Sequence, residues 1–229
     1  MSTTLSAHKK SHQIKAILFD LDGTLIDSAP GIFNTVEFIS GKHQLNMLPQ
    51  CQLRPHLGEG LAALILQSNP NLSRHTVHEY AKEGFEYYKE NAPITTKLFP
   101  DVEEVLNFLN KQEIPWGIVT NKLRNLTLAI FEKLTILNSN NILICKDDLQ
   151  VCKPDPYPLL KALEILNVEK TNCLYIGDSI QDMNAAKRAD ISGIIALYGY
   201  LPKEKDAISN WPHIGKINNF KEVLNWITL

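Results

Sequence analysis

Short apolar runs separated by segments of helical spacing organise most of this chain. Residues 14–19, 115–120, 141–145, 172–177 and 193–197 are apolar without polar alternation, the pattern of strands buried on both faces. Between them, 101–111 sets Val102, Val105, Leu106 and Leu109 at i, i+3, i+4 and i+7, behind Pro100 at a helix start. Segments 123–137, 156–167 and 180–190 read as further helices. Strands that alternate with helices predict an α/β fold built on a parallel sheet covered on both faces.

Residues 28–93 break this rhythm. They hold no convincing strand but helical stretches at roughly 30–40, 59–67 and 74–91, with a weaker one between. Leu61, Leu64 and Ile65 make one apolar stripe, and Tyr80, Phe85, Tyr87 and Tyr88 crowd another, read as core packing because aromatics usually bury. An all-helical insert directly after the first strand predicts a small cap above that strand's carboxyl end, joined to the core near Asp27-Ser28 and near Pro93-Ile94. The expected division is a disordered polar tail at 1–13, a core from 14–27 and 94–229, and a helical cap at 28–93.

Composition narrows the class. At 229 residues the chain can bury a proper core. A formal net charge of −2, with no lysine/arginine block beyond pairs such as Lys9-Lys10, argues against nucleic acid or a membrane surface as partner. The first 13 residues lack the apolar region of a signal peptide, and no apolar stretch approaches the roughly 18 residues of a membrane span. Cys51, Cys145, Cys152 and Cys173 show no CxxC pair and read as thiols of a reducing compartment. The expectation is a cytoplasmic protein, monomeric or weakly homodimeric.

Chemistry concentrates at the strand ends. The first strand stops abruptly in Asp20-Leu21-Asp22-Gly23-Thr24. A plain turn would use such residues, and a calcium loop would use such carboxylates, but here the glycine comes too early and apolar Leu25 and Ile26 follow. Thr120-Asn121-Lys122 ends another strand, and Gly177-Asp178-Ser179, with Asp182 four residues beyond Asp178, ends a third. Lys153, in Lys153-Pro154-Asp155-Pro156, precedes a helix. In an open parallel sheet ligands bind outside the carboxyl ends of the strands, so these four motifs converge on one edge. The set suits phosphoryl transfer. A carboxylate can be a covalent nucleophile, and a second one nearby can protonate the leaving oxygen and then activate water. Mg²⁺ held by Asp20 and Asp178 would offset the repulsion between carboxylate and phosphate. A lysine and a hydroxyl donor can hold the remaining phosphate oxygens.

FDLDGTL, VTNK, the lysine of KPDP and GDSxxxD resemble the four motifs of the haloacid dehalogenase superfamily, whose core is a Rossmann-like parallel sheet. With a helical cap between the first and second motifs, the chain resembles the phosphoglycolate phosphatase branch over nearly everything from residue 14 onward. The resemblance implies a Mg²⁺-dependent phosphatase of small phosphorylated metabolites. It implies Asp20 as nucleophile, Asp22 as general acid/base, Thr120 and Asn121 as phosphate binders, and Lys153 as the charge-neutralising lysine. It also implies Asp178 and Asp20 as metal ligands, completed by the Asp22 carbonyl, with Asp182 at the metal site or orienting the lysine.

Asp22 favours phosphate esters over halides, since a departing halide needs no proton, but β-phosphoglucomutase-like mutases share that acid. Gly177-Asp178-Ser179-Ile180 also resembles a GDSL-type esterase signature, with Ser179 as nucleophile. Its late position, and the lack of an Asp three residues before His213, disfavour that reading. A non-catalytic phosphate-binding protein would have no need of Asp22. For the substrate, Arg54 and His56 lie where the family places its specificity loop; either could bind the carboxylate of phosphoglycolate, or Arg54 could equally be a surface charge and His56 a helix-capping or core residue. Tyr198-Gly199-Tyr200 and the segment around Trp211 resemble the sister group, the N-acetylmuramic acid 6-phosphate phosphatases.

Overall fold

A computed structural model describes residues 13–202 and 205–227. The tail expected at 1–13 lies outside the described residues except for Gln13. Six parallel strands form the main sheet, in the order β5-β4-β1-β6-β7-β8. They are β1 (Ala16–Phe19), β4 (Trp116–Val119), β5 (Ile142–Ile144), β6 (Cys173–Gly177), β7 (Ser192–Ala196) and β8 (Gly215–Ile217). The five apolar runs are all strands. The edge strand β8 is short and carries the exposed Lys216, so its sequence gives no apolar run.

The strands are apolar throughout because the two faces build two cores. Ile17 and Phe19 of β1 pack with Trp116, Ile118, Leu174 and Ile176 under α5 (Val102–Lys111). Ala16 and Leu18 point the other way, toward Tyr175, α7 (Tyr157–Leu166) and α8 (Ile180–Ala189). A one-residue slip in register would exchange the two sets, so packing on both faces fixes the pairing of β1 between β4 and β6.

After β1 the chain makes a small antiparallel pair, β2 (Ile26–Asp27) with β3 (Lys97–Leu98). The regular elements between are all helical: α1 (Ala29–His43), α2 (Gln50–Leu53), a 3₁₀ segment (Arg54–Glu59), α3 (Leu61–Ser68) and α4 (Arg74–Thr95). These helices share a core of their own, with Phe33, Val36, Ile39, Leu53, Leu64 and Val77 buried among one another. The last helix runs past Pro93 to Thr95. A proline removes one helical amide bond, but the buried Tyr88 and Ala92 pack that end of the helix against Leu126 and hold it. The expected helix at 123–137 is instead two pieces, α6 (Arg124–Phe131) and a 3₁₀ turn (Thr135–Ser139).

Candidate active site

The carboxyl ends of β1, β4 and β6 and the loop after β5 bring Asp20, Thr120, Asp178 and Lys153 into one buried cluster, each less than a tenth exposed. Lys153 Nζ donates to Asp20 Oδ1 and to Asp182 Oδ1, both at 2.7 Å, and to Tyr175 Oη at 2.8 Å. Those three bonds use all the donors of an ammonium. Burial alone would lower the Lys153 pKa, but the charges of Asp182 and Asp20 outweigh it and hold the group above its usual value. Asp20 moves up as well, to about 7, because burial and the charge of Asp182 outweigh the single lysine. Asp178 is driven well above the usual carboxylate range by burial, then by Asp20 and Asp182.

The electrostatics therefore leave negative charge over. Three carboxylates, with oxygens within 4.8 Å of one another, face one ammonium, an excess of two negative charges in a buried space. A divalent hard cation fits that donor set. Asp182 is not free to join it. Its Oδ1 already faces Lys153 and Tyr175 (2.9 Å), and its Oδ2 accepts from the Ser179 amide (3.0 Å) and hydroxyl (2.6 Å). All four lone-pair positions are taken, partly by the capping box that starts α8. Of the two roles expected for Asp182, at the metal or on the lysine, these bonds serve the second: it holds Lys153. Asp20 and Asp178 remain as the carboxylates that could hold the ion. Gly23, at φ 82°, lets the Asp22-Gly23 backbone press against Asp178, since a Cβ there would fall 2.0 Å from its Oδ2.

Asn121 lines the same cavity, with its side chain already engaged. Its side-chain amide donates to the Lys153 carbonyl and to Gln181, and its oxygen accepts from the Lys153 amide. Its carboxamide thereby fixes the Lys153 loop. Thr120 lines the cavity, with its Oγ1 accepting from the Lys122 amide. A hydroxyl that accepts there still has its own proton to donate.

Asp22 sits at the mouth of the cluster, its side chain a quarter exposed. Lys122 Nζ reaches both of its oxygens, at 3.0 and 3.1 Å, and the Ser28 hydroxyl donates to Oδ1 at 2.5 Å. Over the cluster lies a cavity of about 350 Å³. Its floor is Asp20, Asp22, Thr120 and Lys153, and its roof is apolar: Ile32, Leu57, Leu61 and Phe85 from the helical insert. Arg54 and His56 do not line it. The exposed Arg54 lies over the Tyr200 ring, 5.3 Å from its centre, and His56 Nδ1 pairs with Glu59 at 2.8 Å. Both sit on the 3₁₀ segment, whose buried position goes to Leu57.

Lys122, Tyr88, Tyr175 and Tyr200 complete the site, although the sequence assigned none of them a role in the chemistry. The Tyr200 amide N–H donates to Asp178 Oδ2 at 2.6 Å and the Tyr200 hydroxyl to Asp27 at 2.9 Å. Tyr175 carried a signal, since a tyrosine in a strand buried on both faces needs a partner for its hydroxyl. The others depend on how distant segments meet.

Comparison with known proteins gives the family. The family model for haloacid dehalogenase-like hydrolases matches residues 17–196, and the chain belongs to that family. A phosphoglycolate phosphatase of Xanthomonas campestris pv. campestris is 35% identical over 195 residues, 85% of this chain and 88% of that protein. An N-acetylmuramic acid 6-phosphate phosphatase of Pseudomonas aeruginosa is 29% identical over 203 residues, 88% and 89% of the two chains. A haloacid dehalogenase-like family hydrolase of Streptococcus pneumoniae shares the fold, with a TM-score of 0.82 at 23% identity over 93% of this chain and 98% of that one. Among the described residues no helix is long and apolar enough to cross a membrane.

Proposed function

We propose that this hydrolase cleaves a small phosphate monoester through an aspartyl-phosphate on Asp20, with Mg²⁺ as cofactor. The observation that carries the reading is one carboxylate, tied to a buried lysine and followed two residues later by a second acid, at the floor of a cavity of small-molecule size. Asp20 attacks phosphorus as the bond to the leaving oxygen breaks, and Asp22 gives that oxygen its proton. Asp22 then takes a proton from water as the water oxygen attacks phosphorus and the bond to Asp20 breaks. The acid is thereby restored. Lys153 stays charged beside Asp20 throughout, and the Thr120 hydroxyl donates to a phosphoryl oxygen. Asp20, Asp178 and the Asp22 carbonyl would hold the metal. When bound, it screens the approach of the carboxylate to the phosphate. The helical insert of residues 28–93 serves as a lid that keeps water out until the second step. The chain is read as cytoplasmic, in line with its unpaired thiols.

The 35% identical relative makes phosphoglycolate the first substrate to try. An N-acetylmuramic acid 6-phosphate-like sugar phosphate is the second, favoured by the apolar roof and by the absence of Arg54 and His56 from the cavity wall. Rates on these two esters, on other sugar phosphates and on nucleotides, with Mg²⁺ and then with EDTA, test the proposal. Hydrolysis of at least one small ester that EDTA abolishes and Mg²⁺ restores is expected. Undiminished hydrolysis after thorough chelation, or none on any ester, would overturn it.

A further inference from the structure

Lys122 is a buried cation outside the chemistry described so far. Its side chain is 7% exposed, and its three donors go to Asp22 Oδ1, Asp22 Oδ2 and the hydroxyl of Tyr88 on α4, the last at 2.9 Å. The ammonium also lies 4.7 Å from the centre of the Tyr88 ring. Burial opposes its charge, but Asp22 and Tyr88 outweigh that and keep it protonated. An ammonium has three protons, so Lys122 cannot grip a substrate group without releasing one of these partners. The bonds to Asp22 are uneven. Oδ1 accepts from both Ser28 and Lys122, whereas Oδ2 accepts from Lys122 alone and keeps a lone pair.

We propose that Lys122 is the positioning residue for Asp22: it fixes the carboxylate so that Oδ2 carries the working proton, and Tyr88 ties that setting to the helical insert. The proposal rests on the reading of Asp22 as acid/base. In the first step the Oδ2 proton passes to the leaving oxygen as the phosphorus–oxygen bond breaks. In the second step Oδ2 takes a proton from the attacking water. Loss of Lys122 would leave Ser28 as the sole fixed partner, and the carboxylate could turn about its last bond. Tyr88 makes the setting depend on the lid, because the lysine is fully bonded only when α4 lies over the site.

A leaving-group comparison separates this from a structural role. The value of kcat/KM covers steps up to departure of the leaving group, and p-nitrophenolate leaves without a proton whereas an alkoxide does not. Lys122→Met should lower kcat/KM on an alkyl phosphate by about 10²-fold, the lower range for general acid catalysis. On p-nitrophenyl phosphate the fall should be several-fold smaller, because only the loss of a positive charge is felt there. Tyr88→Phe keeps the ring and should shift the same ratio in the same direction by a smaller factor. Lys122→Arg should recover part of the loss on the alkyl ester.

Asp22→Asn provides the reference. If it suppresses the alkyl ester selectively while Lys122→Met and Tyr88→Phe depress both esters equally, the positioning role is refuted and the acid/base reading survives. If Asp22→Asn itself leaves the ratio unchanged, the acid/base reading fails first. If Lys122→Met does not fold, an unchanged ratio in Tyr88→Phe refutes the link to the lid.

Discussion

The floor and the roof of the cavity are built by opposite means. The floor is a net of charges fixed by strand ends: Asp20, Lys153, Asp182 and Tyr175 hold one another at 2.7 to 2.9 Å. The roof is apolar surface offered by helices, with Leu57, Leu61 and Phe85 facing the cavity and no cation of the insert among its lining. A charge net needs particular residue types at particular places, because an unpaired buried charge costs several kcal/mol (about 3–5 when a partner is removed). An apolar roof needs only shape and volume, and volume-conserving exchanges there are tolerated at under roughly 1.5 kcal/mol. The two regions should therefore answer to different perturbations, the floor to pH and metal, the roof to the substrate.

The floor should show the larger response. In the metal-free protein Asp20 holds its proton up to about pH 7, against 3.8 for the free side chain. The folded state then binds more protons than the unfolded state between roughly pH 4 and 7. Stability should fall as pH rises through that window, on the order of 1 kcal/mol per pH unit. Asp178, raised for the same reasons, adds a loss of the same sign. Thermal unfolding in EDTA at pH 5 and pH 8 checks this. Wild type should lose melting temperature between the two, Asp20→Asn should lose much less, and Mg²⁺ at pH 8 should raise the wild type more than the variant. A wild type equally stable at both pH values would mean that the floor carries no excess charge.

The roof should answer to the substrate instead. Phe85→Ala enlarges the roof and should change kcat/KM by about tenfold between a bulky sugar phosphate and phosphoglycolate, the scale of a few methylenes in an apolar pocket. Arg54→Ala and His56→Ala should each stay within about threefold on both esters, since neither side chain lines the cavity. A selective loss on phosphoglycolate in either of them would bring the 3₁₀ segment back into the specificity surface.

The same contrast explains what could be read from the sequence. Asp20, Asp178 and Lys153 were legible because a charged residue at the end of an apolar strand has no packing reason to be there. Asp182 was legible as a residue with two roles open to it. Whether it binds metal or lysine depends on which of its oxygens Ser179 and Tyr175 take up. Asn121 was legible as a residue of the site, but its engagement with the Lys153 backbone appears only in three dimensions. That Arg54 and His56 lie off the cavity wall could not be read, because the direction of a side chain on one short 3₁₀ segment does not follow from spacing. The aromatics of α4 were half right. Tyr88 is buried, but its hydroxyl serves Lys122, and Phe85 is 39% exposed at the cavity. The strands were legible because both of their faces are covered, and β8, at the edge, was not.

Every step proposed for this site depends on a bond between Asp20 and phosphorus. Rapid acid quench of the Mg²⁺-loaded enzyme turning over a ³²P-labelled ester, followed by peptide mapping, reads that bond directly. The label is expected on the peptide holding Asp20, labile to hydroxylamine as an acyl phosphate, and absent from Asp20→Asn, which should also lose at least about 10⁴-fold in rate, by analogy with removal of other covalent nucleophiles. Full turnover with no label on Asp20 at any quench time, together with an active Asp20→Asn, would contradict it.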